Sequence, residues 1–224
     1  MQQLLLNIST QKPASLDTFI VGNNEELVHV LHQFASRSSK EHFAYIWGES
    51  AVGKTHLLHA LALNPATRYI DENADMDAFA FDESITLYLL DNCEKLAPEA
   101  QVAAFSLFNQ VRENNGFLVT AGAVLPTLLP VLNDLKSRMS WGLVYRVHEL
   151  TDEEKIAALE KSAGTRGLTL SQGVLPYLIT HYRRDMHSLS VILDALDRYS
   201  LETQRAITLP LLLSLLQRST ETQT

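Results

Sequence analysis

Cysteine is nearly absent from this chain of 224 residues: Cys93 stands alone, so no disulfide can form within it. A lone thiol suits a reducing compartment, and the expected location is the cytoplasm. Basic clusters are also missing. Acidic residues number 26 against 18 Lys and Arg, a formal net charge of −8, and no short run is rich in Lys or Arg. Proteins that grip duplex DNA draw much of their affinity from cations neutralising phosphates, so direct sequence-specific DNA binding is not expected. No apolar run approaches the roughly 20 residues that a membrane-crossing helix needs. The first residues, MQQLLLNIST, have no basic region and too short an apolar run for a signal peptide, so no membrane association is expected. Asn7-Ile8-Ser9 formally matches a glycosylation acceptor, but nothing else points to secretion. Internal repeats and low-complexity stretches are absent as well.

What is present is a core. Hydrophobic residues make up 46% of the chain and charged residues 20%, without a long block of one sign, which argues against disorder. The periodicity predicts an extended tail over 1–13, then a helix capped by Asn23 or Asn24 and running to about Ser38. Strands are expected at His42–Trp47, Thr67–Ile70, Ile85–Leu90, Phe117–Thr120 and Gly142–Val147. Helices are expected from Lys54 to about Leu63 and from Pro98 to about Asn114. Leu125–Arg138 reads as helical but broken by Pro126 and Pro130. Continuously apolar strands alternating with helices mean an α/β domain, residues 14–150, whose parallel sheet is covered on both faces. The pattern changes at Thr151-Asp152-Glu153-Glu154, a capping signature. Beyond it only helices are read, at about 152–163, 171–182, 185–203 and 208–217. Residues 151–218 thus form a small all-helical domain, with Leu211, Leu212, Leu213, Leu215 and Leu216 in its core and a frayed end at 219–224.

One motif carries chemistry on its face. Gly48-Glu49-Ser50-Ala51-Val52-Gly53-Lys54-Thr55 fits G-x-x-x-x-G-K-[ST] between a predicted strand and a predicted helix. The glycines let backbone N–H groups turn inward around a phosphate, and the following helix presents its positive end. Lys54 would reach the β- and γ-phosphates of ADP or ATP, and the Thr55 hydroxyl would ligate Mg²⁺. Asp91, ending the apolar strand Ile85–Leu90, would complete the Mg²⁺ site. Next to it, where ATPases built this way place a second acid, stands Asn92, which cannot take a proton from water. Glu94 follows two residues later. Slow hydrolysis is expected. His56 and His59 share a helix face with no third metal ligand evident, and Cys93 reads as a buried filler.

These residues, taken together, resemble the DnaA branch of AAA+ proteins over nearly the whole chain. Ser15 to Asn23, with Phe19 and Gly22, resembles the segment that packs against the adenine. Leu90-Asp91-Asn92 resembles a shortened Walker B motif. Ser137-Arg138-Met139-Ser140-Trp141-Gly142 resembles the box whose arginine reaches a neighbour's nucleotide. Arg184-Asp185-Met186-His187-Ser188-Leu189 resembles the sensor-2 helix, whose arginine here is Arg183 or Arg184, and Arg205-Ala206-Ile207-Thr208 resembles the end of the lid. The chain stops where the family's helix-turn-helix domain would begin, which narrows the resemblance to the Hda family. Gln3-Leu4-Leu5-Leu6-Asn7-Ile8 is similar to that family's sliding-clamp peptide, with Leu4, Leu6 and Ile8 for a groove and Gln3 as a directional amide. The region after Thr120, Ala121-Gly122-Ala123, departs from the family by lacking a polar sensor-1 residue.

The resemblance implies a nucleotide site of Phe19, Gly22, Gly48, Ser50, Ala51, Val52, Gly53, Lys54, Thr55, His56, Asp91 and Arg184. It implies Arg138 as an arginine finger acting in trans, with a surface pairing to Asp134 as the plainer alternative. The implied partners are the DNA-polymerase sliding clamp and DnaA, and self-association is common in such proteins. Three functions follow. The first is a regulator that holds ADP and stimulates ATP hydrolysis by DnaA, with weak or no ATPase of its own. The second is an AAA+ ATPase acting as a helicase loader. The third is an adaptor with a vestigial P-loop, against which the intact Lys54, Thr55 and Asp91 count.

Overall fold

Five strands line up in the order β2-β3-β4-β1-β5, all neighbours parallel, in a computed structural model that describes residues 14–182 and 185–221. They are β1 (Phe43–Trp47), β2 (Thr67–Ile70), β3 (Leu87–Leu90), β4 (Phe117–Gly122) and β5 (Leu143–Arg146). The three central strands, β3, β4 and β1, are almost wholly buried, because helices cover both faces. On one face Tyr45, Tyr88, Leu90 and Leu118 pack with α3 (Pro98–Glu113) and α4 (Asn133–Met139). On the other Ala44, Ile46, Leu87, Leu89 and Val119 pack with α1 (Glu25–Ala35) and α2 (Lys54–Leu61). Side chains alternate between faces along each strand, so both cores come from one short run of apolar residues.

Several boundaries differ from the sequence reading for identifiable reasons. Asn24 precedes α1 but makes no side-chain cap. Its amide instead donates to the carbonyls of Val21 and His148 and accepts from the His148 amide at 2.7 Å, pinning the chain beyond β5 to the start of the domain. α1 stops at Ala35, and Arg37 takes a left-handed φ of 58°. β3 starts at Leu87 rather than Ile85, and β4 runs two residues past Thr120 to Gly122. The proline-bearing stretch resolves into a 3-10 turn at Pro126–Leu128 and the separate helix α4. Short turns of the same kind at Leu16–Thr18, Met76–Phe79 and Cys93–Lys95 carry no periodicity that a sequence could reveal.

Two units separate by contact density, residues 14–149 and 150–221 among those described. The second unit holds α5 (Asp152–Thr165), α6 (Val174–His181), α7 (Met186–Thr203) and α8 (Leu209–Glu221). The capping signature is built as expected: Thr151 Oγ1 accepts from the Glu154 amide at 3.2 Å, and Glu154 accepts from the Thr151 amide at 2.8 Å. Leu159, Leu178, Leu189, Leu193, Leu196, Leu211 and Leu212 form this unit's core, with Leu215 and Leu216 partly buried against it. Leu213 is corrected, since it lies 37% exposed. α8 also runs on to Glu221, past the expected end at 217. Among the described residues no helix is long and apolar enough to cross a membrane.

Candidate functional site

The glycine-bearing loop leaves β1 at Trp47 and enters α2 at Lys54. Gly53 sits at φ 105°, in the left-handed region, and a Cβ there would strike the Phe19 ring at 2.9 Å. Phe19 therefore lies against the loop, with the His56 ring 6.0 Å beyond. His56 also contacts the Ser15 carbonyl at 3.3 Å, and burial lowers its pKa. Ala51 adopts φ 64°, the second left-handed turn of the loop. No side chain caps α2, so its first amides are left to an external acceptor, the arrangement that binds phosphate. Lys54 Nζ donates to the carbonyls of Gly48 at 2.6 Å and Glu49 at 2.7 Å, folded back over its own loop. Burial lowers the Lys54 pKa; the carboxylates of Glu94 and, next, Asp91 work the other way.

Asp91, at the end of β3, is 1% exposed and fully engaged. Its Oδ2 accepts from the Thr55 hydroxyl at 2.7 Å and from the Tyr69 hydroxyl at 2.9 Å, and its Oδ1 accepts from the Asn92 amide at 2.8 Å. Burial and the Asp91 charge raise the Tyr69 pKa, so the phenol stays a donor. Sequence reasoning missed Tyr69; it comes from β2, the strand beside β3, and only the sheet order brings it in. Thr55 and Asp91 thus meet as the hydroxyl and carboxylate that a P-loop offers to Mg²⁺. Among the described residues no group of three or more His, Cys, Asp or Glu gathers around a metal position. One hydroxyl and one carboxylate fit a cation that would take phosphate and water as its other ligands.

Asn92 takes φ 48°, and its side chain turns to Glu72, donating to Oε2 at 2.9 Å. Lys95 donates to the other oxygen of Glu72 at 3.2 Å. The residue after Asp91 is thus a neutral amide, tied to a neighbouring loop. Cys93 is fully buried and burial pushes its thiol pKa up. Glu94 turns back toward the sheet and accepts from the Ala123 amide at 3.1 Å. Thr120 and Ala121 are buried within β4. Gly122 is glycine for a steric reason: a Cβ would collide with the Tyr45 hydroxyl, which crosses to the Val124 carbonyl at 2.7 Å.

Arg138 belongs to a second cluster, at the last turn of α4. Its guanidinium lies 4.2 Å from the Trp141 ring centroid and 5.0 Å from that of Phe105, and Nε donates to Asn109 Oδ1 at 3.0 Å. Arg112 stands 4.6 Å from the same Trp141 ring. The pairing with Asp134 is replaced by this stack, and among the described residues Arg138 makes no ion pair. Phe19, the loop from Gly48 to Thr55, His56 and Asp91 come together; Gly22 lies in the turn before α1 at φ 47°. Gln3, Leu4, Leu6, Ile8, Arg183 and Arg184 lie outside the described residues.

Comparison with known proteins adds two family models. The Hda lid domain matches residues 152–216, and the bacterial DnaA ATPase domain matches residues 10–76. An uncharacterized protein of Haemophilus influenzae is 36% identical over 222 residues, covering 93% of this chain and 96% of that protein. Domain III of the Thermotoga maritima replication initiation protein DnaA superposes with a TM-score of 0.76 at 19% identity, over 94% of this chain and 98% of that one. AMPPCP-bound DnaA from Aquifex aeolicus gives a TM-score of 0.67 at 22% identity, over 83% of this chain and 67% of that one. At these identities the superpositions speak for the fold, an AAA+ parallel-sheet domain with a helical lid.

Proposed function

We propose, from the premise that this chain belongs to the Hda family of DnaA-related AAA+ replication proteins, that it is a cytoplasmic nucleotide-holding regulator that acts on another protein's ATP. Its own P-loop binds ADP. Residues Gln3, Leu4, Leu6 and Ile8 dock on the sliding clamp. Arg138 is lent to ATP-bound DnaA, leaving inactive ADP-DnaA.

One observation carries this reading: Asn92 stands in place of a second acid and is turned away from Asp91 toward Glu72. A site with phosphate-binding parts but no general base at that position keeps a nucleotide better than it consumes one. Lys54 would leave the Gly48 and Glu49 carbonyls for the phosphates, the first amides of α2 would take the β-phosphate oxygens, and Phe19 would lie under the base. Thr55 and Asp91 would hold Mg²⁺, which neutralises phosphate charge when bound. The family's DnaA relative from Aquifex aeolicus, solved with AMPPCP, supports an adenine nucleotide as the ligand.

Arg138 supports the second half. A cation stacked on aromatic faces, with a neutral amide partner, can leave its resting place without breaking an ion pair. The test is ATP turnover by DnaA with and without this protein and clamp-loaded DNA. Turnover should rise only when all are present, and Gln3→Ala should abolish both clamp pull-down and the rise. Brisk ATP hydrolysis by this protein alone would overturn the reading.

A further inference from the structure

Glu94 holds a position that the motifs leave without a role. It lies three residues past Asp91, in the 3-10 turn Cys93–Lys95, and its carboxylate is fixed by the Ala123 amide at 3.1 Å. Ala123 follows Gly122, the last residue of β4, and Gly122 is in register with Trp47 of β1. The residue after β1 is Gly48, whose carbonyl accepts from Lys54 Nζ at 2.6 Å. Neighbouring strands run about 4.8 Å apart. The Glu94 carboxylate is therefore anchored at the end of β4, the strand that lies between the Asp91 strand β3 and the P-loop strand β1. Of the two carboxylates acting on Lys54, Glu94 is the stronger. Among the described residues Glu94 forms no ion pair, and its carboxylate accepts from a backbone amide.

A P-loop lysine reaches the β- and γ-phosphates, and the third phosphate of a bound ATP would extend past the lysine toward the ends of the strands carrying Asp91 and Ala123. We infer that Glu94 sets nucleotide specificity, its fixed carboxylate disfavouring a third phosphate beside Lys54 and so selecting a nucleoside diphosphate over the triphosphate. The inference deepens the nucleotide-holding reading and rests on it. The family's polar sensor-1 position is taken by Ala121-Gly122-Ala123, whose side chains offer no donor to a γ-phosphate, and the Ala123 amide is spent on Glu94. Like charges repel more strongly the less water lies between them, and a β-phosphate held by the loop amides would lie farther from Glu94 than a third phosphate.

The test is equilibrium titration of the full chain with fluorescently labelled ADP and with a labelled β,γ-methylene ATP analogue, both with Mg²⁺. The natural chain should bind ADP about tenfold more tightly. Glu94→Gln, which keeps shape and removes charge, should bring the ratio of the two Kd values close to one, mainly by tightening the analogue. Glu94→Ala should do the same, and melting curves of both variants establish that they fold. An unchanged ratio in Glu94→Gln overturns the inference. So does a ratio that moves only in Glu94→Ala, which would make shape the determinant, or a loss of ATP hydrolysis in Glu94→Gln at constant ratio, which would make Glu94 a base. If the natural chain binds neither nucleotide, the P-loop reading falls along with the inference; if it binds both equally, the inference falls alone.

Discussion

The P-loop end of the sheet and the Arg138 cluster are built from opposite materials. At the P-loop, charges lock one another or the backbone: Asp91 is satisfied by Thr55, Tyr69 and Asn92, Glu72 by Asn92 and Lys95, and Lys54 by two carbonyls. Around Arg138 there are aromatic faces and a single amide. The first arrangement gives every group a partner before a ligand arrives, and only Lys54 would have to exchange its partners to meet a phosphate. The second stores a cation at small cost, because stacking on a ring at a partly exposed site is worth only about 0.5–1 kcal/mol. Under the proposed function the difference assigns the two regions separate jobs, one holding and one lending. A substitution in either should leave the other's task intact.

The sharpest way to break that division is Arg138→Ala. Removing an arginine finger costs about a thousandfold or more in the rate of phosphate cleavage, so stimulation of DnaA turnover should vanish while ADP affinity of this protein stays within about twofold. A parallel loss of ADP binding would erase the division. Lys54→Ala is the converse. Losing charge-assisted hydrogen bonds to phosphate is worth roughly 3–4 kcal/mol, or about 10²–10³ in the Kd for ADP. Isothermal titration would measure it, and clamp pull-down should be unchanged.

Stability should divide in the same sense. Tyr69→Phe deletes a donor to a carboxylate that is 1% exposed, which should cost about 1–2 kcal/mol and lower the melting temperature by roughly 3–6 °C. Asn109→Ala deletes the amide partner of Arg138. Arg138 is partly buried and keeps its rings, so the loss should stay below about 1 kcal/mol. Equal losses would mean that the resting place of Arg138 is as firmly built as that of Asp91.

The sequence made one of these regions far more legible than the other. The loop from Gly48 to Thr55 is read directly, since its residue types follow from backbone turns and phosphate chemistry. Asp91 is read from its place at the end of an apolar strand. Tyr69 and Glu94 escape because their partners, Asp91 and the Ala123 amide, are chosen by strand order and register. The resting partners of Arg138 escape in a different way. Helix spacing nominates Asp134, four residues earlier, but Phe105, Asn109 and Trp141 come from outside that helix and displace it. Asn24 was nominated as a cap on type and position, and a partner 124 residues away claims its side chain. Local rules thus worked where the chemistry is local.

Acid gives a gentler comparison. Burial pushes the Glu72 pKa up, but hydrogen bonds from its own loop, Lys95 and Asn92 outweigh it, and the net shift is downward. A carboxyl with a lowered folded pKa contributes stability that is complete above its unfolded value, near 4.5, and is lost as pH falls through the folded one. The natural chain should therefore lose slightly more stability than Glu72→Gln between about pH 5 and pH 3, in denaturant titrations at fixed pH. An equal acid loss would show that the Glu72–Asn92–Lys95 network has no energetic weight.

The smallest effect is also the most local, because the two tryptophans report on the two regions separately. Trp47 is the last residue of β1, next to Gly48, with Arg146 5.3 Å from its ring centroid. Trp141 is the ring on which Arg138 and Arg112 rest. These are the only tryptophans in the chain, so Trp141→Phe leaves a probe of the P-loop and Trp47→Phe a probe of the Arg138 cluster. ADP should shift the emission of the first, because its charge would arrive within a Debye length of about 8 Å, and leave the second unchanged. If the Trp141 probe moves instead, nucleotide binding is felt at the arginine's resting place. The P-loop and Arg138 would then be two ends of one switch, since a ligand can move an element only by binding its two arrangements unequally.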